Sequence, residues 1–81
     1  MLVRVLLFAS HRELFGQRQL ELDIPSSSTP QDLFAILEER QPGLTRFRRY
    51  TAFAVNREVV GPDTELHAGD EIALLQPASG G

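Results

Sequence analysis

The 81-residue sequence contains no cysteine, no lysine and no tryptophan. The lack of cysteine excludes disulfides, thiolate metal sites and cysteine nucleophiles, and it is typical of a reducing compartment, so we expect a cytoplasmic protein. The lack of lysine excludes a Schiff-base residue and a phosphate-binding loop of the Walker type. A chain of this length forms one small domain, whose apolar core must therefore supply its stability unaided.

The chain is also poor in positive charge and in long apolar runs. Eight arginines stand against eleven acidic residues, for a formal net charge of −3. This balance offers no footprint for a phosphate backbone, so no nucleic-acid partner is expected. The apolar stretch Met1 to Ala9 is interrupted by Arg4 and is too short for a signal peptide or a membrane span. We therefore expect no membrane partner either.

The two histidines do not suggest a metal or catalytic site. His11 and His67 are isolated from each other and from other ligand residues at metal-binding spacing. The sequence therefore predicts surface histidines and no bound metal.

Two strands are predicted in the first third of the chain. The run Leu2 to Ala9 is almost continuously apolar and is typical of a central strand. The stretch 19–24 alternates between polar and apolar residues, which predicts a strand that buries Leu20, Leu22 and Ile24. The residues between these strands, His11 to Gly16, are typical of a turn.

A helix is predicted from Pro30 to Arg40. Thr29 supplies a hydroxyl N-cap, Pro30 suits the first helical position, and Asp32 can accept hydrogen bonds from the free N–H groups. Pro42 and Gly43 end the helix. Its apolar residues recur at three- and four-residue steps and form one face: Leu33, Phe34, Ile36 and Leu37.

The second half of the chain is predicted to be mostly strand. After an irregular, arginine-rich stretch over 44–51, strands at 52–55 and 58–60 are joined by a tight turn at Asn56 and Arg57. Glu71 to Gln76 is the last strand. One helix packed across one face of a mixed sheet is the α+β architecture called the β-grasp. Residues 1–76 should form this domain, and residues 77–81 a flexible tail.

The first and last strands are apolar on both faces, whereas the helix covers only one face. If the two strands lie side by side at the centre of the sheet, we assign to the core Val3, Val5, Leu7, Ile72 and Leu74. The opposite face then presents an exposed apolar patch, which on a small protein indicates a partner site. The predicted members of this patch are Leu6, Phe8, Ala73 and Leu75.

The chain ends in Gly80 and Gly81. A backbone without side chains can thread a narrow channel and present an unhindered C-terminal carboxylate. That carboxylate is ionised at neutral pH and can attack the α-phosphate of ATP. A frayed end without function is the alternative interpretation.

Several motifs together resemble the small sulfur-carrier subunit of molybdopterin synthase, a β-grasp family. The resemblance spans the whole chain in the same order and spacing, and it ends in the Gly-Gly tail. Two departures lie at Gln76 and Ala78, where the family commonly has prolines and a β-branched residue. The matching segments are Val5–Ala9, Arg12–Leu14 with Gly16, Ala54–Asn56, Leu66 with Gly69–Ala73, and Pro77–Gly81.

The resemblance implies that this chain carries sulfur and is not an enzyme on its own. An E1-like adenylyltransferase would use ATP and Mg²⁺ to adenylate Gly81, and a sulfur-donor protein would convert the adenylate to a thiocarboxylate. The large synthase subunit, partner in a heterotetramer, would take up the tail, with Gly80 giving it a slim approach. There the sulfur would pass to the cyclic pyranopterin monophosphate precursor and form the dithiolene. The carrier itself would bind no cofactor.

The resemblance also implies partner contacts for residues near the tail. Pro77 and Ser79 would contact the partners directly, and the acidic Asp70 and Glu71 would meet basic groups on them. Three alternatives remain open: a β-grasp carrier for thiamine biosynthesis, a ubiquitin-like protein modifier, and a plain interaction module whose glycines are only a loose end.

Overall fold

A computed structural model describes residues 1–76 of the chain as a five-stranded sheet with helices packed against it. The strand order across the sheet is β2-β1-β5-β3-β4. Along the chain the elements are β1 (Leu2–Leu7), α1 (Ala9–Phe15), β2 (Gln19–Asp23), α2 (Pro30–Arg40), a 3₁₀ helix (Pro42–Tyr50), β3 (Ala52–Val55), β4 (Glu58–Val60) and β5 (Glu71–Leu75).

The two central strands come from opposite ends of the sequence. β1 and β5 are parallel, with Val5 opposite Ile72, and every other strand pair is antiparallel. β1 and β5 therefore end on the same side of the sheet, where β2 and β3 begin. We call this side, which is formed by strand ends and not by an edge strand, the C-terminal edge. This topology with α2 across one face confirms the predicted β-grasp.

Helix α2 has the bounds that the sequence predicts, and its N-terminus is capped reciprocally. The Asp32 N–H donates to Thr29 Oγ1 at 3.2 Å, and the Thr29 N–H donates to Asp32 Oδ2 at 3.0 Å. Because both donors would otherwise be unpaired at the helix start, such a capping box fixes where the helix begins. Leu33, Phe34 and Leu37 of this helix are buried.

The core lies between α2 and the inner face of the sheet. All five residues assigned to it from the central strands are buried, which confirms that assignment. Leu22 and Ile24 are buried from the β2 side, and Leu20 is half-buried. The remaining core residues include Leu44 before β3 and Leu66 before β5, each almost fully buried.

The prediction of a turn over His11 to Gly16 is wrong, because these residues belong mostly to helix α1. No side chain caps its N-terminus, where Phe8 stands, and Gly16 ends it in the left-handed region at φ 74°. The helix is short and weakly capped, so packing against the 3₁₀ helix holds it in place. The prediction that His11 is a surface residue is also wrong, since its side chain is fully buried.

The prediction of an irregular stretch over 44–51 is wrong, because these residues lie mostly in the 3₁₀ helix. This helix has three residues per turn, so residues three apart share a face. Leu44 and Phe47 lie on the face toward the core, Leu44 fully buried and Phe47 partly buried. The two remaining strands keep their predicted bounds, and Asn56 and Arg57 turn the chain with φ values of 49° and 73°.

The three other strands each end slightly earlier than predicted: β1 at Leu7, β2 at Asp23 and β5 at Leu75. For β1 the cause is visible, because Ala9 adopts a positive φ of 46° that turns the chain out of the sheet. Among residues 1–76 no helix is long and apolar enough to cross a membrane.

Candidate functional site

The outer face of the sheet carries an apolar surface at the place where the sequence predicts one. Leu6 of β1 lies opposite Ala73 of β5 in the ladder, and Leu75 lies opposite Ala52 of β3. Leu6, Ala73 and Leu75 are half-buried, and the Phe8 side chain is 47% exposed. We call Leu6, Phe8, Ala73 and Leu75 the outer patch.

The apolar surface extends further across the sheet than the sequence predicts. Ala54 of β3 pairs with Ala73 on one side and with Val59 of β4 on the other. Val59 is 75% exposed, the highest value among the large apolar residues of the part described. Strand register is the signal that could have predicted the outward positions of Ala54 and Val59. Once β3 is placed beside β5, alternation assigns these two side chains to the outer face.

Phe8 is presented by the junction between β1 and α1. It is the N-cap of α1 in an extended conformation, with φ −129° and ψ 155°. The next residue, Ala9, takes a positive φ that an alanine rarely adopts. Because this junction turns sharply, the position of Phe8 at the end of the outer patch depends on where α1 is anchored.

The anchor of α1 is His11. Its Nε2 lies 2.9 Å from Thr51 Oγ1, and the Thr51 hydroxyl donates its one hydrogen to the Phe47 carbonyl at 2.7 Å. Thr51 therefore accepts from His11, which fixes the proton of the neutral ring on Nε2. The ring also packs against Phe47, with centroids 5.5 Å apart.

The protonation state of His11 follows from this geometry. Nδ1 is buried and has no hydrogen-bond partner within residues 1–76. Burial lowers the pKa of His11, an effect that the nearby Phe8 carbonyl partly opposes. His11 is therefore neutral at physiological pH and serves as a structural residue behind Phe8.

The two acidic residues predicted to dock partners have different surroundings. Asp70 Oδ2 accepts from the His67 N–H at 2.7 Å, and Oδ1 accepts from the Asn56 side chain at 3.0 Å. Its carboxylate thus holds the turn into β5. Glu71 lies 3.6 Å from Arg4 and lines a groove of about 390 Å³ on the sheet. Docking through either residue stays a prediction.

The tail residues Pro77, Ser79, Gly80 and Gly81 lie outside the described residues. Within 1–76 no three potential metal ligands cluster together. His67 is exposed, as predicted, with its Nδ1 3.9 Å from the Asp70 carboxylate. What the described part offers is an exposed apolar face that reaches the C-terminal edge, where β5 ends.

These features define a small β-grasp protein with an exposed apolar face on the outer side of its sheet, and comparison with known proteins gives its family. The profile of the ThiS family matches residues 5–81. The human molybdopterin synthase sulfur carrier subunit is 38% identical over 82 residues, covering 98% of this chain and 93% of that protein. The chain therefore belongs to the ThiS family, among the sulfur carrier subunits of molybdopterin synthase.

Solved structures share the fold over the full length. The crystal structure of SAMP1 from Haloferax volcanii, the small archaeal modifier protein 1, superposes with a TM-score of 0.85 at 28% identity and covers 100% of both chains. A chain in the complex of subunits 1 and 2 of molybdopterin-converting factor from Helicobacter pylori gives a TM-score of 0.71 at 29% identity, again covering 100% of both chains.

Proposed function

We propose that this chain is the sulfur-donating small subunit of molybdopterin synthase. The observation that carries the proposal is the outer patch at the C-terminal edge, in a chain of this family whose sequence continues to Gly80 and Gly81. The patch gives a partner a surface to bind, and the tail gives it a group to modify. On its own the chain is a carrier and not an enzyme.

The chemistry takes place at the carboxylate of Gly81. A carboxylate oxygen attacks the α-phosphate of ATP on an E1-like adenylyltransferase, with Mg²⁺ bound to the nucleotide, and pyrophosphate leaves. The outer sulfur of a persulfide on a donor protein then attacks the acyl carbon, and AMP leaves, which gives an acyl disulfide. A second thiol attacks the donor's sulfur, breaks the S–S bond and forms a disulfide with the donor. The product is a thiocarboxylate on Gly81, and Gly80 leaves the path to it unobstructed. We assign these ATP-dependent steps to the cytoplasm.

The second half of the reaction takes place on the large subunit. The tail enters its pocket and donates sulfur to the cyclic pyranopterin monophosphate precursor, and two such transfers form the dithiolene. The Helicobacter pylori complex of subunits 1 and 2 supports a partner of this kind. An exposed apolar face spanning four strands suits a stable interface, since burying apolar area is the main favourable term in association.

Mass spectrometry of the intact protein tests the carrier function directly. The protein is incubated with the adenylyltransferase, ATP, Mg²⁺ and a sulfur donor. We expect the mass gain of one oxygen replaced by sulfur, located on Gly81 by fragmentation. A variant lacking Gly81 is the control and should gain nothing. If the full-length protein never gains this mass, the carrier function is wrong.

Conjugation to other proteins is a second candidate function, which the similarity to the archaeal modifier favours. In that case the activated Gly81 would form an isopeptide bond with a lysine of another protein. Arg57 is the last tryptic site of this chain, so tryptic digests of cell extract would then contain branched peptides in which residues 58–81 are joined through Gly81 to a lysine. Thiocarboxylate formation without such peptides would favour the carrier function.

A further inference from the structure

The arginines of this chain are distributed unevenly. Residues 8–18 and 41–51 together carry five arginines and one glutamate, a formal charge of +4. The rest of the chain carries three arginines and ten carboxylates, a formal charge of −7. A protein with a net charge of −3 thus contains a distinctly positive region. Its five arginines, which we call the basic collar, are Arg12, Arg18, Arg46, Arg48 and Arg49.

The fold brings both positive segments to the C-terminal edge. Helix α1 follows the end of β1, and Arg18 precedes the start of β2, where its carbonyl accepts from the Leu7 N–H at 2.8 Å. The 3₁₀ helix precedes β3, whose first residue Ala52 pairs with Leu75 at the end of β5. The hydrogen bond between His11 and Thr51 joins the two segments.

The collar arginines are exposed, and two of them are held against aromatic rings. All five arginines are exposed to solvent. The Arg46 guanidinium lies 4.9 Å from the centre of the Phe47 ring, and that of Arg48 lies 5.2 Å from the Phe34 ring and pairs with Glu38. Within residues 1–76 the other four collar arginines form no ion pair, so their charge is available to a partner.

We propose that the basic collar fits an acidic protein surface around the pocket that takes up the tail, and that it orients the carrier as it approaches. The proposal rests on the proposed function, because a carrier that inserts its tail into a partner must approach that partner with its C-terminal edge first. The acidic surface is assigned to the adenylyltransferase, the first protein that must receive the tail.

The charge distribution gives a reason for this choice of partner. An acidic surface attracts the arginine-rich edge and repels the acidic remainder of the chain, so that approaches with this edge facing away are disfavoured. Such steering acts on the association rate, which complementary charges raise by 10-fold to 1,000-fold at low salt. Attraction over distance requires weak screening, with a Debye length of about 30 Å at 10 mM salt and about 8 Å at 150 mM.

Stopped-flow association with the adenylyltransferase tests the proposal. The double variant Arg46→Gln with Arg49→Gln removes two collar charges and keeps most of each side-chain stem. Its matched control, Arg4→Gln with Arg57→Gln, removes two exposed arginines that lie together at the other end of the sheet. At 10 mM salt we expect about fivefold slower association for the collar variant and little change for the control. At 150 mM salt the three proteins should converge.

Two results would overturn the proposal. Equally slow association of both variants would show that only the net charge matters. Faster association of the collar variant would show that the partner surface is basic. Binding of a labelled 20-nucleotide single strand of DNA at 150 mM salt that depends on Arg46 and Arg49 would overturn the assignment to a protein partner. Thiocarboxylate formation at saturating enzyme should be unchanged in the control variant. If the protein without these substitutions forms no thiocarboxylate, it is the proposed function that is wrong.

Discussion

The two faces of the central strands differ in what covers them, although both are apolar. On β5, Ile72 and Leu74 are fully buried beneath α2, whereas Ala73 and Leu75 on the outer face are half-buried. Residues one position apart therefore serve the core and the surface in turn, because successive side chains of a strand point to opposite faces. The inner face stabilises the fold, and the outer face is available for binding.

The sharpest test of this division is to truncate neighbouring leucines. Leu74→Ala should lower the free energy of unfolding by about 2–5 kcal/mol, because it leaves a cavity in the core. For a domain whose total stability is of order 5–15 kcal/mol this is a large loss. Leu75→Ala, the matched outer-face variant, should cost less than about 1.5 kcal/mol. Urea denaturation measures both, and equal losses would mean that the faces do not differ as described.

The second test weakens binding and leaves the fold intact. Phe8→Asn should raise the Kd for the large synthase subunit about tenfold, or about 1.4 kcal/mol, since it removes a large apolar side chain from the outer patch. Asparagine is favoured at an N-cap, so the unfolding free energy should hold or rise slightly.

Leu2→Asn is the matched control for this binding test. Leu2 is 59% exposed at the other end of β1, away from the C-terminal edge. Titration calorimetry should find its Kd unchanged. A loss of affinity as large as that of Phe8→Asn would show that the interface covers the whole outer face.

The smallest expected effect is a pH dependence of the free energy of unfolding that comes from His11, the anchor of helix α1. Its pKa is lowered in the folded protein by burial, so between that pKa and the ordinary value of about 6.5 the unfolded chain binds more protons. Stability should therefore fall as the pH drops from 7 to 5.5. His11→Gln, which keeps a donor for Thr51, should flatten this slope, whereas exposed His67→Gln should not. An unchanged slope in His11→Gln would contradict a buried neutral His11.

The sequence predicts the parts of the fold that rest on local signals. Helix α2 has a hydroxyl cap, a proline and an acid at its start and is followed by Pro42 and Gly43, and these signals predict both of its ends. Strand alternation gave the two faces of β1 and β5, and therefore the core and the outer patch.

The parts that were mispredicted depend on distant contacts. Helix α1 has seven residues and no side-chain cap, and its stability comes from His11 packing on Phe47 and Thr51, about forty positions away. Nothing local shows that His11 has such partners, so its isolation in the sequence wrongly predicts exposure. Three members of the basic collar are visible in the sequence as the arginine-rich stretch over 44–51, but Arg12 and Arg18 are brought to them by strand topology and not by spacing.

The parallel pairing of β1 with β5 also constrains how the protein folds during its synthesis. Val5 and Ile72 are partners across 67 positions, and contacts this distant slow folding because a long loop must close before they form. The centre of the sheet cannot assemble while the ribosome still holds β5. Nascent chains without that strand lack the assembled outer patch, so this surface first forms once β5 has emerged and paired with β1.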